Sequence, residues 1–333
     1  MTETDLICGV NWLGDSVMLM PALQVYRRAR PGRRLAILVR RPLDQLWRLH
    51  NAPDDVIPCD GGTPGTWRAV RDLRQRGMAR AFVMPNSFRS ALIPWAAGIP
   101  ERTGRRGHAR AWMLSRVVAA PPVGAGRHQQ WEYFDVLGVE PPDGKAPAPA
   151  LAPARQAGEA VSMLDDGAGP LLGVIPGAAR GSSKQWPPAR FVETVRRVRA
   201  AEACRVAVFG TGAEHDLCDG IVRALETPAL NLAGQTDLAT LAAGLARCDV
   251  VLSNDCGGMH LAAAVGTRVV AVFGVTDPRR TGPLGGGHRI IAAEGVRPDR
   301  DVPRESIAAT AALRSITSEQ VGGAVLDVLH AES

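Results

Sequence analysis

The chain has 333 residues, 46% of them hydrophobic and 22% charged, which is typical of a soluble globular protein with room for two domains. No apolar run approaches the ~18 residues of a membrane-spanning helix, and the first residues lack the basic and apolar pattern of a signal peptide. The net charge of +6 is unevenly distributed: residues 1–140 hold 20 arginines against 12 acidic residues, a surplus of +8, and residues 141–333 carry −2.

The charge asymmetry and the cysteines bear on partner and compartment. A basic first half predicts an anionic partner such as nucleic acid, a membrane surface or a phosphorylated glycolipid, unless arginine is simply favoured in the organism's composition. The six cysteines show neither a C-x-x-C pair nor metal-ligand spacing, and several lie in apolar strand patterns. We therefore expect free thiols in a reducing, cytoplasmic compartment.

Strands and helices alternate through the first half, which predicts a parallel sheet with helices on both faces. The predicted strands are residues 6–10, 35–39, 56–58 and 81–84. The predicted helices are residues 16–29, 42–50, 65–76, 87–97 and 127–137. Residues 101–116 are predicted to form a basic loop that leads into a helix, with arginines at Arg102, Arg105, Arg106, Arg110 and Arg116.

A proline- and alanine-rich stretch over residues 141–153 predicts a stiff, extended linker. We therefore expect an N-terminal domain over residues 1–140, a linker over residues 141–155 and a C-terminal domain over residues 156–333. The second domain has predicted strands at residues 171–175, 205–209, 230–232, 249–253, 268–273 and 290–293, and helices at residues 187–200, 213–225, 238–247, 259–265 and 317–329. We expect the amphipathic last helix to be able to pack back on the N-terminal domain.

Residues 250–283 contain a dense group of polar side chains at the ends of two predicted strands. A valine-rich strand leads into a glycine turn at residues 254–258, then a short helix, a second strand and a long loop over residues 274–283. This arrangement aims free backbone N–H groups and the positive end of a helix dipole at a ligand, which suits a phosphate. Asp255 and His260 lie in the same turn and can contact a phosphate, a ribose or a sugar; an ordinary tight turn is the alternative.

Two further turns precede helices in the second half. The loop over residues 176–187 contains Gly177 and Lys184, one of only two lysines, and this predicts a phosphate contact although no Walker A motif is present. The turn over residues 210–215 has His215 at the third glycine position of a dinucleotide fingerprint, which weakens that interpretation. Glu214 in this turn either accepts hydrogen bonds from ribose hydroxyls or faces solvent.

Two acidic features of the sequence, Asp15 and a D-x-D sequence, are candidate sites. Asp15 follows Gly14 at the start of the first helix, where it is either a general base at the functional edge of the sheet or the N-cap of that helix. The D-x-D sequence of Asp299 and Asp301 lies in an arginine-rich loop, where local ion pairs are a better interpretation than a metal site.

These motifs together resemble the ADP-heptose:lipopolysaccharide heptosyltransferases of glycosyltransferase family 9, and they are most similar to the heptosyltransferase II branch. The segments that carry the resemblance are residues 11–15 with Pro21-Ala22-Leu23, the loop over residues 176–187 with Trp186-Pro187, and residues 253–283 with Asp-x-Gly-x-x-His and Phe-Gly-x-Thr-Asp-Pro. The resemblance covers nearly the whole chain. It implies a GT-B fold, in which two Rossmann-like, doubly wound α/β domains face a central cleft.

The resemblance also implies an activity. It predicts an inverting transfer of heptose from ADP-heptose to the inner core of lipopolysaccharide, without a metal, another cofactor or a nucleic acid. We expect a monomer that works in the cytoplasm, in peripheral contact with the inner membrane surface. Asp15 matches the family's base, and an anionic glycolipid acceptor is expected on the N-terminal domain at Asn11, Arg102, Arg105 and Arg106.

The donor side of the site is likewise implied by the resemblance. The residues expected to bind the nucleotide-sugar are Gly177, Lys184, Glu214, Asp255, Gly257, Gly258 and His260. Lys184 matches the lysine that meets the diphosphate. Cys256 departs from the serine or threonine of many members, so backbone N–H groups would replace a hydroxyl contact to phosphate there.

Three other interpretations stay open from the sequence. The first is another GT-B enzyme, either an epimerase or a transferase with a different nucleotide-sugar. The second is a non-catalytic nucleotide-sugar-binding protein on the same scaffold, which the presence of both Asp15 and Lys184 disfavours. The third is an NAD-dependent dehydrogenase, which the imperfect fingerprint at His215 disfavours.

Overall fold

The structure is a computed structural model, and it describes residues 3–120, 126–153, 161–165, 167–179, 181–298 and 302–331. The chain divides into two compact units, Met1–Pro147 and Ala148–Ser333. The division falls within the proline- and alanine-rich stretch, and residues 139–153 form neither helix nor strand. The predicted D-x-D loop at residues 299–301 lies outside the described residues.

The first unit contains a six-stranded sheet in which all neighbouring strands are parallel. The strands are β1 (Thr4–Cys8), β2 (Arg34–Arg40), β3 (Asp55–Cys59), β4 (Arg80–Val83), β5 (Glu101–Arg105) and β6 (Arg116–Val118). The helices are α1 (Leu13–Ala29), α2 (Leu43–Arg48), α3 (Gly62–Arg76), α4 (Phe88–Ala96) and α5 (Gln130–Leu137). Strands β1 and β2 are almost entirely buried, which explains the apolar runs at residues 6–8 and 35–39.

The second unit contains another six-stranded parallel sheet. Its strands are β7 (Leu171–Ile175), β8 (Arg205–Val208), β9 (Leu230–Asn231), β10 (Val250–Asn254), β11 (Arg268–Phe273) and β12 (Arg289–Ala292). Its helices are α6 (Pro188–Ala201), α7 (His215–Leu225), α8 (Leu238–Leu245), α9 (Gly257–Ala264), α10 (Pro278–Thr281), α11 (Ile307–Ser315) and α12 (Ser318–His330). None of the helices in the described part of the chain has the length and apolar character needed to cross a bilayer.

The two sheets share one strand order. The first runs β3-β2-β1-β4-β5-β6 and the second, read from its other edge, runs β9-β8-β7-β10-β11-β12. In each sheet the chain goes outward in one direction from the first strand, then returns to add its fourth strand on the other side. The loops after the first and fourth strands of each sheet therefore lead to opposite sides. This position is the topological switch point, where open α/β sheets bind their ligands. This order confirms the prediction of two doubly wound α/β halves.

The last helix packs inside the second unit. Helix α12 lies against α6 and against strands β10, β11 and β12. Its buried residues Val321, Ala324, Val325 and Val328 belong to the same apolar cluster as strands β7 and β10. The apolar stripe of α12 is thus buried within its own unit, and the packing of this helix on the N-terminal domain stays a prediction.

Two local predictions also differ from the structure. Residues 101–116 are not a loop leading into a helix: they form strand β5, a single 3-10 turn at Ala111–Met113 and the start of β6. Strand β5 was not predicted because its sequence is charged rather than apolar. The structure accommodates Arg102 and Arg105 there because both side chains have partners within the unit. Helix α11 was not predicted; its N-cap, Ser306, accepts a hydrogen bond from Ala309 N at 3.2 Å. The loop over residues 274–283 contains the short helix α10.

Candidate functional site

The loops that follow β7 and β10 meet at the switch point of the second sheet. Asn254, at the end of β10, is fully buried. Its Oδ1 accepts a hydrogen bond from Trp186 N at 3.0 Å, and its Nδ2 donates to Pro176 O at 2.7 Å. One side chain thus ties both ends of the loop over residues 176–187 to the neighbouring strand. Sequence reasoning did not assign Asn254 this role, because its partners lie 68 and 78 residues away.

An ion pair joins the two loops at their centre. Lys184 Nζ donates to Asp255 Oδ2 at 2.5 Å, and Thr276 Oγ1 donates to the same oxygen at 2.7 Å. The Asp255 side chain is 7% exposed and that of Lys184 is 18% exposed. The predicted site residues Lys184 and Asp255 are therefore brought together, with Thr276 from the loop after β11. Since an ammonium has three donors, Lys184 keeps donor capacity for an anion.

The N-terminus of α9 follows this ion pair directly. Its N-cap, Cys256, makes no side-chain cap hydrogen bond, and the first turn contains no acidic residue. Burial raises the pKa of the Cys256 thiol to about 11, so the thiol is neutral near neutral pH and adds no negative charge. The helix N-terminus therefore keeps its positive partial charge, which favours an anionic ligand.

Glycines at the start of α9 allow close packing. Gly257 and Gly258 occupy its first two positions and are partly exposed. A Cβ on Gly258 would lie 2.8 Å from Ile175 Cδ1, at the end of β7, so a side chain there would force Ile175 to move. His260 lies in the same turn and is only 4% exposed, which places its ring within the unit rather than in open solvent.

The Glu214 side chain lies next to Gly177, in the loop that follows β7. Its Oε2 accepts hydrogen bonds from Thr211 N and Thr211 Oγ1, both at 2.8 Å, and forms a capping box with that residue. A Cβ on Gly177 would come within 1.9 Å of Glu214 Oε1, so a side chain there would force the Glu214 carboxylate to move. The structure therefore places Gly177 and Glu214 in contact. The interpretation of Glu214 as a plain solvent-facing side chain is wrong, because it is half-buried and caps a turn.

Asp15 lies at the switch point of the first sheet, in the first turn of α1. The N-cap of this helix is Trp12, so the alternative that Asp15 is the N-cap is wrong. Asp15 Oδ1 accepts a hydrogen bond from Gln129 Nε2 at 2.8 Å, and Gln129 Nε2 also lies 3.2 Å from Tyr133 Oη. Asn11 is exposed just before the helix. Gln129 was missed from the sequence, since 114 residues separate it from Asp15.

The three arginines predicted to bind the acceptor differ in their surroundings. Arg102 Nε donates to Met113 O at 2.6 Å, and its Nη1 donates to Pro100 O at 2.9 Å, so it closes the connection between β5 and β6. Arg105 is 9% exposed and pairs with Glu132 at 2.8 Å and Asp135 at 3.2 Å.

Arg106 is the exposed member of this set. The acceptor role of the three arginines stays a prediction, although Arg102 and Arg105 are engaged by partners within the first unit. Among the described residues, no group of three His, Cys, Asp or Glu side chains is arranged to hold a metal ion.

Comparison with known proteins decides the family. The profile described as "Glycosyltransferase family 9 (heptosyltransferase)" matches residues 66–308, well over half of the chain. The chain belongs to glycosyltransferase family 9. It is 31% identical over 310 residues to "Lipopolysaccharide heptosyltransferase 2" of Escherichia coli strain K12, an alignment that covers 86% of this chain and 87% of that protein. The Salmonella typhimurium protein of the same name is 33% identical, with the same coverage.

A solved structure supports the same membership. The E. coli ADP-heptose lps heptosyltransferase II superposes with a TM-score of 0.83 and 26% sequence identity over 98% of both chains. The predictions of a family 9 glycosyltransferase and of its fold class are thus confirmed. The fold brings Lys184, Asp255, Gly257 and Gly258 to one edge of the second sheet. The roles of the individual site residues stay predictions.

Proposed function

We propose that this family 9 enzyme transfers heptose from ADP-heptose to the inner core of lipopolysaccharide. The observation that carries the proposal is the contact of Lys184 with Asp255 and Thr276, directly before the uncapped N-terminus of α9. This arrangement is suited to a diphosphate, and it lies at the switch point of a Rossmann-like sheet. The names of the relatives in E. coli and S. typhimurium supply the sugar and the acceptor of the proposal.

The donor is proposed to bind on the second unit. When the bond between the anomeric carbon and the diphosphate breaks, negative charge develops on the departing ADP. The Lys184 ammonium and the backbone N–H groups of Gly257 and Gly258 are proposed to stabilise that charge. Glu214 Oε1, next to Gly177, is proposed to accept hydrogen bonds from the ribose, while His260 is proposed to contact the donor from the first turn of α9.

Asp15 is proposed to act as the general base in the first unit. Its carboxylate removes the proton from the acceptor hydroxyl as the oxygen attacks the anomeric carbon of heptose. The new carbon–oxygen bond forms opposite the bond to ADP, which leaves with the electron pair, so the configuration inverts. Base action of this kind contributes typically ~10²–10⁴-fold to the rate. Gln129 holds the carboxylate by the 2.8 Å hydrogen bond to Oδ1.

The acceptor is proposed to be an anionic glycolipid in the cytoplasmic face of the inner membrane, and the enzyme to work there as a monomer. The surplus of arginine in residues 1–140 supports this choice. Because the charge of Arg105 is paired and Arg102 bonds to carbonyl groups, Arg106 is the arginine of the three proposed to meet the acceptor, together with Asn11.

The proposal is tested by incubating the purified enzyme with ADP-heptose and a heptose–Kdo–lipid A acceptor. Mass spectrometry should show an acceptor heavier by one heptose and release of ADP, and the rate should be unchanged by EDTA. Transfer from a different nucleotide-sugar only would replace the donor assignment. Epimerised donor without transfer would indicate an epimerase. ADP binding without any turnover of a panel of nucleotide-sugars would indicate a binding protein, and a strict need for added Mg²⁺ would refute metal-independent transfer.

A further inference from the structure

Three aromatic side chains form an exposed patch on the first unit. Phe88, Trp95 and Trp112 are 43%, 41% and 60% exposed. The Trp112 ring lies 5.1 Å from that of Trp95 and 6.5 Å from that of Phe88, measured between ring centroids. Contiguous exposed aromatic surface is uncommon unless it serves an interaction. We call these three residues the aromatic patch.

The three rings of the aromatic patch are held in place by α4 and by the side chain of Arg110. Phe88 and Trp95 are seven residues apart on α4, so they lie on one face of the helix. The fully buried Arg110 fixes the turn that carries Trp112: its guanidinium donates to Arg105 O at 2.8 Å and to Ser90 Oγ at 3.0 Å. These contacts fasten the turn to the start of α4, so the three rings are preorganised.

Arginines flank the aromatic patch at both ends of α4. The Arg74 guanidinium donates to Ala96 O at 2.7 Å, which places its charge at the C-terminal end of α4. At the other end, a Cβ on Gly107 would lie 2.5 Å from Asn86 O, so the neighbouring exposed Arg106 is close to the start of the helix. Both flanking arginines are exposed, and no ion-pair partner is found for either within the described residues.

Negative charge is scarce around the aromatic patch. Residues 77–126 contain a single acidic residue, the exposed Glu101. Two carboxylates nearer α3, Asp60 and Asp72, pair with Arg68 at 3.1 Å and with Arg76 at 3.0 Å. The surface therefore combines aromatic rings with a surplus of positive charge.

We propose that the aromatic patch docks the enzyme on an anionic phospholipid bilayer. Tryptophan favours the boundary between water and hydrocarbon, because its ring is apolar and its N–H is polar. Each nearby arginine adds attraction to an anionic leaflet, which falls off within a Debye length. The proposal deepens the proposed function, since a glycolipid acceptor lies in a membrane, and it names the surface that makes the contact.

Vesicle sedimentation of the intact enzyme tests the proposal without donor or acceptor. The protein should bind vesicles of phosphatidylglycerol and phosphatidylethanolamine, bind phosphatidylcholine vesicles weakly, and dissociate as salt rises. The double variant Trp95→Ser/Trp112→Ser should lower the partition coefficient by about tenfold or more, because two half-exposed rings no longer enter the interface. Phe88→Ser, which removes the third ring, should lower it by less and serves if the double variant does not fold.

The matched control is Ile307→Ser, which removes a large apolar side chain that is 92% exposed on the second unit. It should bind vesicles like the unchanged protein. Wild-type protein that ignores anionic vesicles, or equal binding by the patch variants, would overturn the proposal. Concentration-dependent dimers that the double variant abolishes would show that a second copy covers the patch instead.

Two readouts separate this inference from the proposed function. The double variant should keep its activity on a water-soluble, deacylated acceptor and lose activity on vesicle-borne acceptor. Vesicle binding can be measured even if no heptose is transferred, so failure of the activity leaves the docking result readable. Loss of activity on both acceptors with normal vesicle binding would contradict the docking role of the patch.

Discussion

The ion pair between Lys184 and Asp255 gives the sharpest test of the donor site. Lys184→Ala removes the ammonium from the Asp255 carboxylate, which is 7% exposed, and leaves the hydrogen bond from Thr276 Oγ1 at 2.7 Å. Breaking one side of a poorly exposed pair costs about 1–3 kcal/mol, because the remaining charge loses its compensation. For a domain of this size, that loss lowers the Tm by roughly 2–10 °C.

The same substitution should weaken donor binding separately. A charge-assisted hydrogen bond to the diphosphate contributes about 1.5–3 kcal/mol, so the Kd for ADP should rise roughly 10- to 100-fold. The two effects have different causes. The first comes from an unpaired carboxylate, while the second comes from the missing ammonium.

A second substitution separates them. Asp255→Asn in the Lys184→Ala background removes the unpaired charge and keeps an oxygen that accepts from Thr276. Scanning calorimetry should show that the double variant recovers most of the lost Tm, and titration calorimetry should show that its ADP affinity stays low. If Lys184→Ala changes neither quantity, the pair does not form part of the donor site. If the double variant is as unstable as the single one, the unpaired carboxylate is not the cause.

Three other predictions follow from the structure. Asp15→Asn should reduce transfer by ~10²-fold or more and leave ADP affinity unchanged, as measured by steady-state kinetics and calorimetry. Arg105→Glu should lower the Tm, because it adds a carboxylate beside two others on α5, whereas Arg106→Glu should keep the Tm and raise the acceptor KM in a salt-dependent way. Cys256→Ser should raise the free energy of unfolding by about 0.5–1 kcal/mol, since serine is a favoured N-cap and the cysteine makes no cap hydrogen bond.

Each of these has a result that would contradict it. An Asp15→Asn enzyme with more than about a tenth of the normal rate would exclude base action of the proposed size. Unchanged acceptor KM in Arg106→Glu at low and high salt would mean that the charge surplus of the first half is only compositional. A lower Tm in Cys256→Ser would mean that the buried hydroxyl finds no N–H partner at the start of α9.

The sequence by itself determined most of the elements. Strands β7 and β11 were predicted at the residues where they are found, because buried parallel strands are continuous apolar runs that differ from the amphipathic helices around them. The glycine turns before α1 and α9 were also predicted, since glycine and polar residues between a strand and a helix act locally. Strand β5 was not predicted, because it contains arginines where a buried strand usually has apolar residues.

The tertiary structure alone decided which of these local features meet. The order of strands brings the loops after β7 and β10 together, and this puts Lys184 and Asp255 in contact across 71 residues of chain. Gln129 reaches Asp15 across 114 residues, and Arg105 is neutralised by acidic residues of α5. A side chain's charge, burial and partners depend on these long-range neighbours, whereas residue patterns report only the neighbours along the chain. The sequence therefore indicates which groups can do chemistry, and sheet order decides which of them act together.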